Sequence, residues 1–133
     1  MHYGLWNNDS RYDIGYEQES NGQTYSGEYN NGKYNGIGTY IWKDNTKYEG
    51  EWKDNSLEGY GIFYFTDGKI YIGMWKENKM NGYGELAWKD GKKFCGFYKD
   101  DKKNGFGVQY WPNGEKLYVG FWKDGKQHGV GKY

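Results

Sequence analysis

The sequence predicts an all-β protein, an elongated single-layer antiparallel sheet of stacked β-hairpin repeats that is twisted into a groove. Three observations predict it: glycines recur every 23 residues, aromatic residues alternate around them with the period of two of β-strands, and turn-forming Asp-Gly and Asn-Gly pairs recur at regular distances. Eleven or twelve strands at ~4.8 Å would form a rod about 50–55 Å long, and the right-handed strand twist would curl it into a trough.

The period is carried by phased glycine series. Each series keeps a spacing of 23 residues, with one step of 24 near the end, and the second series follows the first by 11 residues. The first is Gly4, Gly27, Gly50, Gly73, Gly96 and Gly120, and the second is Gly15, Gly38, Gly61, Gly84, Gly107 and Gly131. A third series, two residues before the second, is Gly36, Gly59, Gly82, Gly105 and Gly129.

Each copy begins with a strand in which two rings flank a glycine. This aromatic-x-Gly-x-aromatic pattern occurs at residues 25–29, 48–52, 71–75, 94–98 and 118–122. The second strand follows as Gly-x-Gly-x-x-x-aromatic, as in residues 59–65, and then a turn such as Asp67-Gly68, Asp90-Gly91 or Asn113-Gly114. Such pairs favour the positive φ angles of tight turns, so each copy is predicted to be a hairpin joined to the next.

The alternation assigns most rings to one side of the sheet, called here the aromatic face. All seven tryptophans are expected on it together with the phased glycines, so that a ring on one strand covers the bare backbone of its neighbour. Its predicted members are Trp6, Tyr25, Tyr29, Tyr40, Trp42, Tyr48, Trp52, Phe63, Phe65, Tyr71, Trp75, Trp88, Phe94, Tyr98, Trp111, Tyr118, Trp122 and Tyr133.

The opposite face changes along the chain. It carries Ser26, Glu28, Glu49 and Glu51 early on, and bulky apolar residues later. A C-terminal apolar patch is expected there, as a partner site or as a packing surface for a neighbouring domain or copy. Its members are Tyr60, Tyr64, Ile72, Met74, Tyr83, Cys95, Phe97, Phe106, Tyr110, Val119 and Phe121.

The segments 25–40, 48–65 and 118–133 resemble MORN repeats, a family whose name abbreviates membrane occupation and recognition nexus. The resemblance divides the chain into repeats 25–47, 48–70, 71–93 and 94–117 and a partial repeat 118–133. Residues 1–24 depart from the pattern, with Asp13 where the first glycine of the pair is expected and Glu17 and Glu19 at later ring positions. We expect this degenerate copy to act as a polar cap.

The resemblance implies a scaffold more than an enzyme, a curved sheet whose aromatic groove holds peptides or helices in ciliary, cytoskeletal or membrane-junction assemblies. The predicted function is therefore a non-enzymatic scaffold that binds a protein segment, because aromatic anchors are common hot spots. The predicted partner-binding residues are Tyr48, Trp52, Phe63, Phe65, Tyr71, Trp75, Trp88 and Tyr98.

The alternative is an adaptor for anionic phospholipids such as phosphoinositides, or an accessory segment of a lipid kinase, since the family also occurs beside such enzymes. Basic residues near a membrane surface contribute roughly 1 kcal/mol each. The lipid-binding candidates are Lys92, Lys93, Lys102, Lys103, Lys116, Lys123 and Lys126, which alternate with acidic residues.

Other chemistry finds little support. His2, His128 and Cys95 are the candidate bases and nucleophiles, and they are not expected to converge, with His128 placed in a hairpin loop. No Cys/His cluster has metal-ligand spacing, no cofactor is implied, and the Gly-x-Gly pairs lack the helix of a phosphate loop. A zero net charge argues against nucleic acid.

Charge is nevertheless uneven. Residues 1–66 carry 5 basic and 10 acidic side chains, whereas residues 67–133 carry 13 and 8, so the halves have charges of −5 and +5. This dipole and the open sheet ends favour a homodimer or end-to-end self-association. A single cysteine and the lack of a signal-like N-terminus indicate a cytoplasmic location, in a cytoskeletal, ciliary or membrane-associated setting.

Overall fold

The computed structural model describes residues 2–5 and 13–132, which form one open antiparallel sheet. Its strand order is the chain order, so every strand pairs with the strands before and after it in sequence. The all-β, single-layer prediction is confirmed. The strands are β1 His2–Leu5, β2 Asp13–Gln18, β3 Thr24–Asn30, β4 Lys33–Ile41, β5 Lys47–Lys53, β6 Ser56–Tyr64, β7 Ile70–Lys76, β8 Lys79–Ala87, β9 Lys93–Lys99, β10 Lys102–Tyr110, β11 Lys116–Lys123 and β12 Lys126–Lys132.

Two kinds of turn alternate along the sheet. Within a repeat, two residues with positive φ connect the strands, as at Asp54 (46°) and Asn55 (71°), and this geometry matches the strand twist. Between repeats, the turn at 65–69 is closed by the Phe65 N–H, which donates to the Lys69 carbonyl at 2.9 Å, and by Asp67 Oδ1, which accepts the Lys69 N–H at 3.0 Å. Gly68 has a φ of 93°, as the Asp-Gly pair predicts.

One unbroken row of glycines crosses the whole sheet, with one glycine from each strand facing the next. Gly50, for example, lies opposite Gly38 on one side and Gly61 on the other. The row consists of Gly4, Gly15, Gly27, Gly38, Gly50, Gly61, Gly73, Gly84, Gly96, Gly107, Gly120 and Gly131. The first two glycine series are thus a single structural feature.

The leading ring of each repeat lies across this row. A Cβ atom on Gly61 would collide with the Tyr48 ring, and one on Gly84 with the Tyr71 ring. The Tyr48 hydroxyl donates to the Glu51 carbonyl at 3.0 Å, which fixes the ring over the backbone. The predicted packing of rings on glycine is confirmed in every repeat from residue 25 onward.

The core is a ladder of edge-to-face rings. Trp52 meets the ring of Tyr48 on its own strand at 5.3 Å and that of Tyr25 in the preceding repeat at 5.5 Å. Trp75 makes the same two contacts, with the ring of Tyr71 on its own strand at 5.2 Å and with the ring of Tyr48 in the preceding repeat at 5.5 Å. Edge-to-face pairs contribute about 0.5–1.5 kcal/mol each beyond their buried area, so the ladder joins each repeat to the next.

Near each hairpin tip the register shifts and the third glycine series takes positive φ angles. Gly59 has a φ of 83°, and the shift lies between Gly50 and Trp52 of the facing strand. The Glu51 carboxylate accepts the Tyr60 N–H there at 2.5 Å, just as Glu28 accepts from its own repeat's bulge. These glutamates therefore satisfy backbone donors as well as adding surface charge.

The degenerate first copy forms strands β1 and β2, which pair with Gly4 opposite Gly15. Most of its side chains, Trp6 included, lie outside the described residues, as does Tyr133. Its role as a cap stays a prediction.

Candidate peptide-binding groove

The aromatic face holds two adjoining hollows, called here the groove. The larger hollow has a volume of about 830 Å³ and lies along three successive turns between repeats. The smaller has a volume of about 440 Å³ and lies over the ring ladder. The larger is lined by Gln23, Trp42, Lys43, Asp44, Thr46, Phe63, Phe65 and Thr66. The smaller is lined by Tyr34, Tyr40, Trp42, Trp52, Asn55, Leu57, Phe63, Trp75 and Asn78.

Trp42 and Phe63 form the wall that both hollows share. Their ring centroids are 5.4 Å apart, and Phe63 also contacts Phe65 at 4.7 Å and Trp75 at 5.6 Å. Both rings are half-buried. They pack on the ring ladder from one side, and no second layer of the described structure lies above them. They expose apolar surface that the fold itself does not cover.

Polar groups line the rim of the groove and hold its walls. Gln23 Nε2 donates to Tyr40 Oη at 2.8 Å. Asn55 Oδ1 accepts the Tyr34 N–H, and Asn78 Oδ1 accepts the Leu57 N–H, each at 2.8 Å. The groove therefore combines an apolar floor with side chains fixed by hydrogen bonds.

The structure buries three predicted partner-binding residues within the ring ladder, and none of them lines the groove. Tyr48 and Tyr71 are completely buried and Tyr98 is 4% exposed, because their rings lie in the ladder. A role for these three side chains in partner binding stays a prediction, and any such role is indirect because the ladder covers them. Burial also raises the pKa of each of these hydroxyls well above its usual value.

The other predicted contacts divide into two groups. Trp52, Phe63, Phe65 and Trp75 line the hollows, so the structure brings these four together. Trp88 lies apart from both, half-buried with the Lys92 and Lys103 ammonium groups 5.9 and 5.3 Å from its ring.

Lys103 is not a free surface lysine, in contrast to its assignment as a lipid contact. Its Nζ lies 4.6 Å from the Phe94 ring and 4.5 Å from the Trp122 ring, and burial lowers the pKa of its ammonium group. It also donates to Gln109 Oε1 at 3.4 Å. It occupies the repeat position of Met80, and it covers the ladder as that side chain does.

The remaining lysine candidates lie at the ends of strands β9 to β12 or in the turn before β9. Lys92 forms an ion pair with Asp90 at 3.6 Å. Lys93 and Lys123 lie on the face opposite Lys103, because side chains alternate along a strand. Both are exposed, as are Lys102, Lys116 and Lys126.

Two residues that line the groove are absent from the predicted site. Trp42 was placed on the aromatic face but not in the site, although it shares its repeat position with Phe65 and Trp88. Tyr34 is not among the predicted residues of the aromatic face, yet its ring stacks on Tyr25 at 3.8 Å with an interplanar angle of 9°. The 23-residue offset that relates Tyr34 to Leu57 was the available signal.

One tryptophan of the described residues lies outside the core. Trp111 is 45% exposed in the turn after β10, and it lines a hollow with Tyr83, Cys95 and Tyr110 of the opposite face. The prediction of all tryptophans on one face therefore holds for Trp42, Trp52, Trp75, Trp88 and Trp122, which lie in or against the core.

The candidate catalytic groups are separate where the structure describes them. Burial raises the pKa of the Cys95 thiol to about 11, and its Sγ lies 3.2 Å from Glu85 Oε1. His128 is exposed within β12 and not in the predicted loop. No cluster of metal-ligating side chains occurs among the described residues, and no helix there is long and apolar enough to cross a bilayer.

Comparison with known proteins gives a family and a distant structural likeness. No curated protein matches the chain. Among solved structures, 32 chains match, including the TCP domain of SAS-4 from Drosophila melanogaster, in complex with a proline-rich motif of Ana2. That likeness has 17% identity and a TM-score of 0.44 over 89% of this chain and 71% of the other, and it carries no argument on function.

The MORN repeat family matches five successive segments, residues 25–47, 48–70, 71–93, 94–116 and 118–133. They coincide with the hairpins that carry the glycine row and the ring ladder. The chain therefore belongs to the MORN repeat family.

Proposed function

We propose that this protein is a non-enzymatic scaffold whose groove binds a segment of a partner protein. The observation that carries the proposal is the pair of hollows that share Trp42 and Phe63 as a common wall. Half-exposed rings over a rigid floor supply contact area at a low cost in conformational entropy. A segment with one apolar side chain in each hollow fits this shape.

The rigidity of the floor supports this function. The rings under the groove are held from both sides, by the glycine row below and by neighbouring rungs of the ladder. A site that is already formed avoids the cost of ordering its side chains on binding.

Charge indicates the kind of segment. The groove lies mainly in the half of the chain with a charge of −5, with Asp44 and Lys43 on its rim and Glu19 bonded to Gln23 beside it. We therefore expect the partner to carry basic residues next to its two apolar anchors. We place the complex in a cytoskeletal, ciliary or membrane-associated assembly in the cytoplasm.

The test is a selection of binding peptides followed by calorimetry. Peptides selected from a displayed random library on the wild-type protein are expected to carry two apolar anchors with basic neighbours. Their Kd should rise at least about tenfold on the variant Trp42→Ala/Phe65→Ala, because truncation of aromatic anchors typically costs about 2 kcal/mol or more.

Trp88→Ala is the matched control, since Trp88 occupies the same repeat position outside the hollows. It should change the Kd less than about twofold. Selected peptides that bind the groove variant as tightly as the wild type would contradict the proposal.

The lipid adaptor remains an untested alternative. Sedimentation with phosphoinositide vesicles at two salt concentrations tests it, because an electrostatic interaction weakens as salt is added. Binding that does not respond to salt, or no binding at all, would exclude it.

A further inference from the structure

The opposite face of the sheet carries a second, independent feature, called here the apolar row. It has one large side chain on each of the six strands from β6 to β11, and all six are between 40% and 53% exposed. The row is Tyr60, Met74, Tyr83, Phe97, Phe106 and Phe121. Monomeric proteins seldom leave such a continuous apolar surface uncovered.

Register makes the row straight. Tyr83 lies directly opposite Phe97 with ring centroids 5.6 Å apart, and Phe106 lies opposite Phe121 at 5.8 Å. Six strands at ~4.8 Å spacing give a row about 24 Å long. An α-helix of about 16 residues has that length at 1.5 Å per residue.

The two borders of the row differ in chemistry. Toward the hairpin tips, two residues along the same face, lie Lys76, Lys99 and Lys123, which are exposed and form no ion pair in the part of the chain that the structure describes. On the other border, side chains such as Ile72 and Val119 are half-buried. The surface therefore presents an apolar stripe with one basic border.

The row also has a defined end. In the earlier repeats its positions are taken by Glu51 and Glu28, whose carboxylates point at backbone donors of the bulges. An acidic ligand that extended toward β5 and β3 would meet these carboxylates. Five of the six row residues, from Met74 onward, therefore lie in the half of the chain with a charge of +5, and Tyr60 lies just before it.

We propose that the apolar row is a docking site for an amphipathic helix of about 16 residues, with an apolar stripe and acidic side chains along one flank. A single-layer sheet with an uncovered apolar face is completed by a helical layer, and a helix about 10 Å wide covers the row and reaches the lysine border. A flat anionic membrane fits less well, since it would also meet Glu77, Asp100 and Asp124 at the hairpin tips.

The test uses a synthetic 18-residue fluorescent peptide with leucines at helical i, i+3, i+4 and i+7 spacing and glutamates on one flank. A scrambled peptide of the same composition and a peptide with lysines in place of the glutamates are the comparison probes. Fluorescence anisotropy with the wild-type protein should show binding of the acidic helix at least about tenfold tighter than of either comparison.

The protein variant is Tyr83→Thr/Phe97→Thr/Phe106→Thr, which keeps β-forming residues on the strands. It should weaken binding at least about tenfold while its far-UV circular dichroism stays that of the wild type. Lys76→Gln/Lys99→Gln/Lys123→Gln should weaken binding and remove most of its salt dependence.

Two control variants test whether the helix binds to the row itself. Ile37→Thr changes an exposed side chain at the repeat position of Tyr60 but outside the row, and it should leave the Kd unchanged. Trp42→Ala/Phe65→Ala should also leave it unchanged, so failure of the groove proposal and failure of this one can be told apart.

Three results would overturn the proposal. The first is equal binding of the acidic and comparison peptides, or of the wild type and the row variant. The second is a dimer in light scattering that the row variant abolishes, which would assign the row to a second copy of the chain. The third is row-dependent binding to anionic vesicles without binding of the acidic helix, which would assign it to a membrane.

Discussion

At the residue scale, this fold depends on one glycine in each strand, because only a residue without a side chain leaves room there for a ring. The leading ring of each repeat occupies the space that a Cβ atom would take, and the facing glycines leave their backbones in close contact. Burial of a large ring then replaces the aliphatic core that the sequence lacks. Glycine is required here by a close approach and not by an unusual φ angle.

Gly84→Ala should therefore be strongly destabilising. The new methyl group would overlap the Tyr71 ring, which is fully buried and cannot move aside. Overpacking of this kind costs about 1–3 kcal/mol, and urea unfolding followed by tryptophan fluorescence measures it.

Gly114→Asn is the control, since nothing lies within 4 Å of a Cβ atom there and Asn45 already occupies the same repeat position with a φ of 72°. It should change the free energy of unfolding by less than about 0.5 kcal/mol. A Gly84→Ala variant as stable as this control would show that the ring can relax.

Alkaline pH should unfold the protein cooperatively. Burial raises the pKa of Tyr25, Tyr48, Tyr71 and Tyr98 above the ordinary value of 10.0, so above pH 10 the unfolded chain binds fewer protons than the folded one. Each such tyrosine contributes stability that is present below pH 10, and above it that stability falls by about 1.4 kcal/mol per pH unit.

The measurement is tyrosinate absorbance at 295 nm beside circular dichroism during a pH titration. The two signals should change together, with a late, steep ionisation step. Ionisation of all tyrosines near pH 10 with the sheet intact would refute the burial argument.

Lys103→Met should stabilise the protein by about 1 kcal/mol, because it removes a charge from an apolar site and restores the side chain type of Met80. Thermal unfolding detects the change. Lys102→Met, at the exposed neighbour, should have an effect of less than about 0.5 kcal/mol. A loss of stability in Lys103→Met would mean that cation–π attraction outweighs desolvation here.

At the element scale, successive hairpin tips are joined by backbone bonds, and at three of them a side-chain acceptor makes the link reciprocal. Asn78 Oδ1 accepts the Leu57 N–H at 2.8 Å while the Asn78 N–H donates to the Leu57 carbonyl at 3.1 Å. Asp101 makes the same pair of bonds with Met80. The tips are therefore linked every 23 residues on one edge of the groove.

Asn78→Gly should weaken one such link by about 1 kcal/mol, since glycine tolerates the φ of 69° and keeps the backbone bond but lacks the side-chain acceptor. Amide hydrogen exchange at Leu57 should accelerate, with exchange in β9 and β10 unchanged. Unaltered protection at Leu57 would show that the side-chain bond contributes nothing. Gly125 already shows the arrangement expected in this variant, since it has only the backbone bond to Lys103.

The hairpins, the glycine row and the leading rings could be predicted, because each rests on residue types that recur with the period. The residues that cover the ladder were harder to predict, since Tyr34, Leu57, Met80 and Lys103 share a repeat position but range from an aromatic ring to a charged chain. The groove was predicted only in part for a related reason. Alternation gives the side of the sheet on which a ring lies, but not whether another ring lies above it.

At the scale of the whole molecule, the aromatic face loses aromatic character toward the C-terminal end. Tyr34 and Tyr40 in one repeat correspond to Lys103 and Gln109 three repeats later, and that lysine and glutamine bond to each other above the rings. The opposite face changes the other way, from glutamates to the apolar row. One ladder thus supports two surfaces at different places along its length.

Removal of one whole repeat, residues 71–93, should leave a folded sheet. Ile70 would then precede Phe94, so that Gly61 faces Gly96 and the ladder continues without a change of register. Repeats contact only their neighbours, so circular dichroism should retain its β signal with a lower Tm.

Removal of residues 71–82 alone is the control, since it deletes nearly all of β7 and the first four residues of β8, so that the remaining strands can no longer alternate in direction. That variant should not fold. A whole-repeat deletion that also fails would show that the sheet depends on its full length.

The strictly sequential strand order has a consequence for synthesis. No strand waits for a distant part of the chain, so each hairpin can add to the growing sheet as soon as it leaves the ribosome. Each new strand can pair with the strand synthesised just before it. Assembly of the sheet would therefore proceed from the N-terminal end to the C-terminal end.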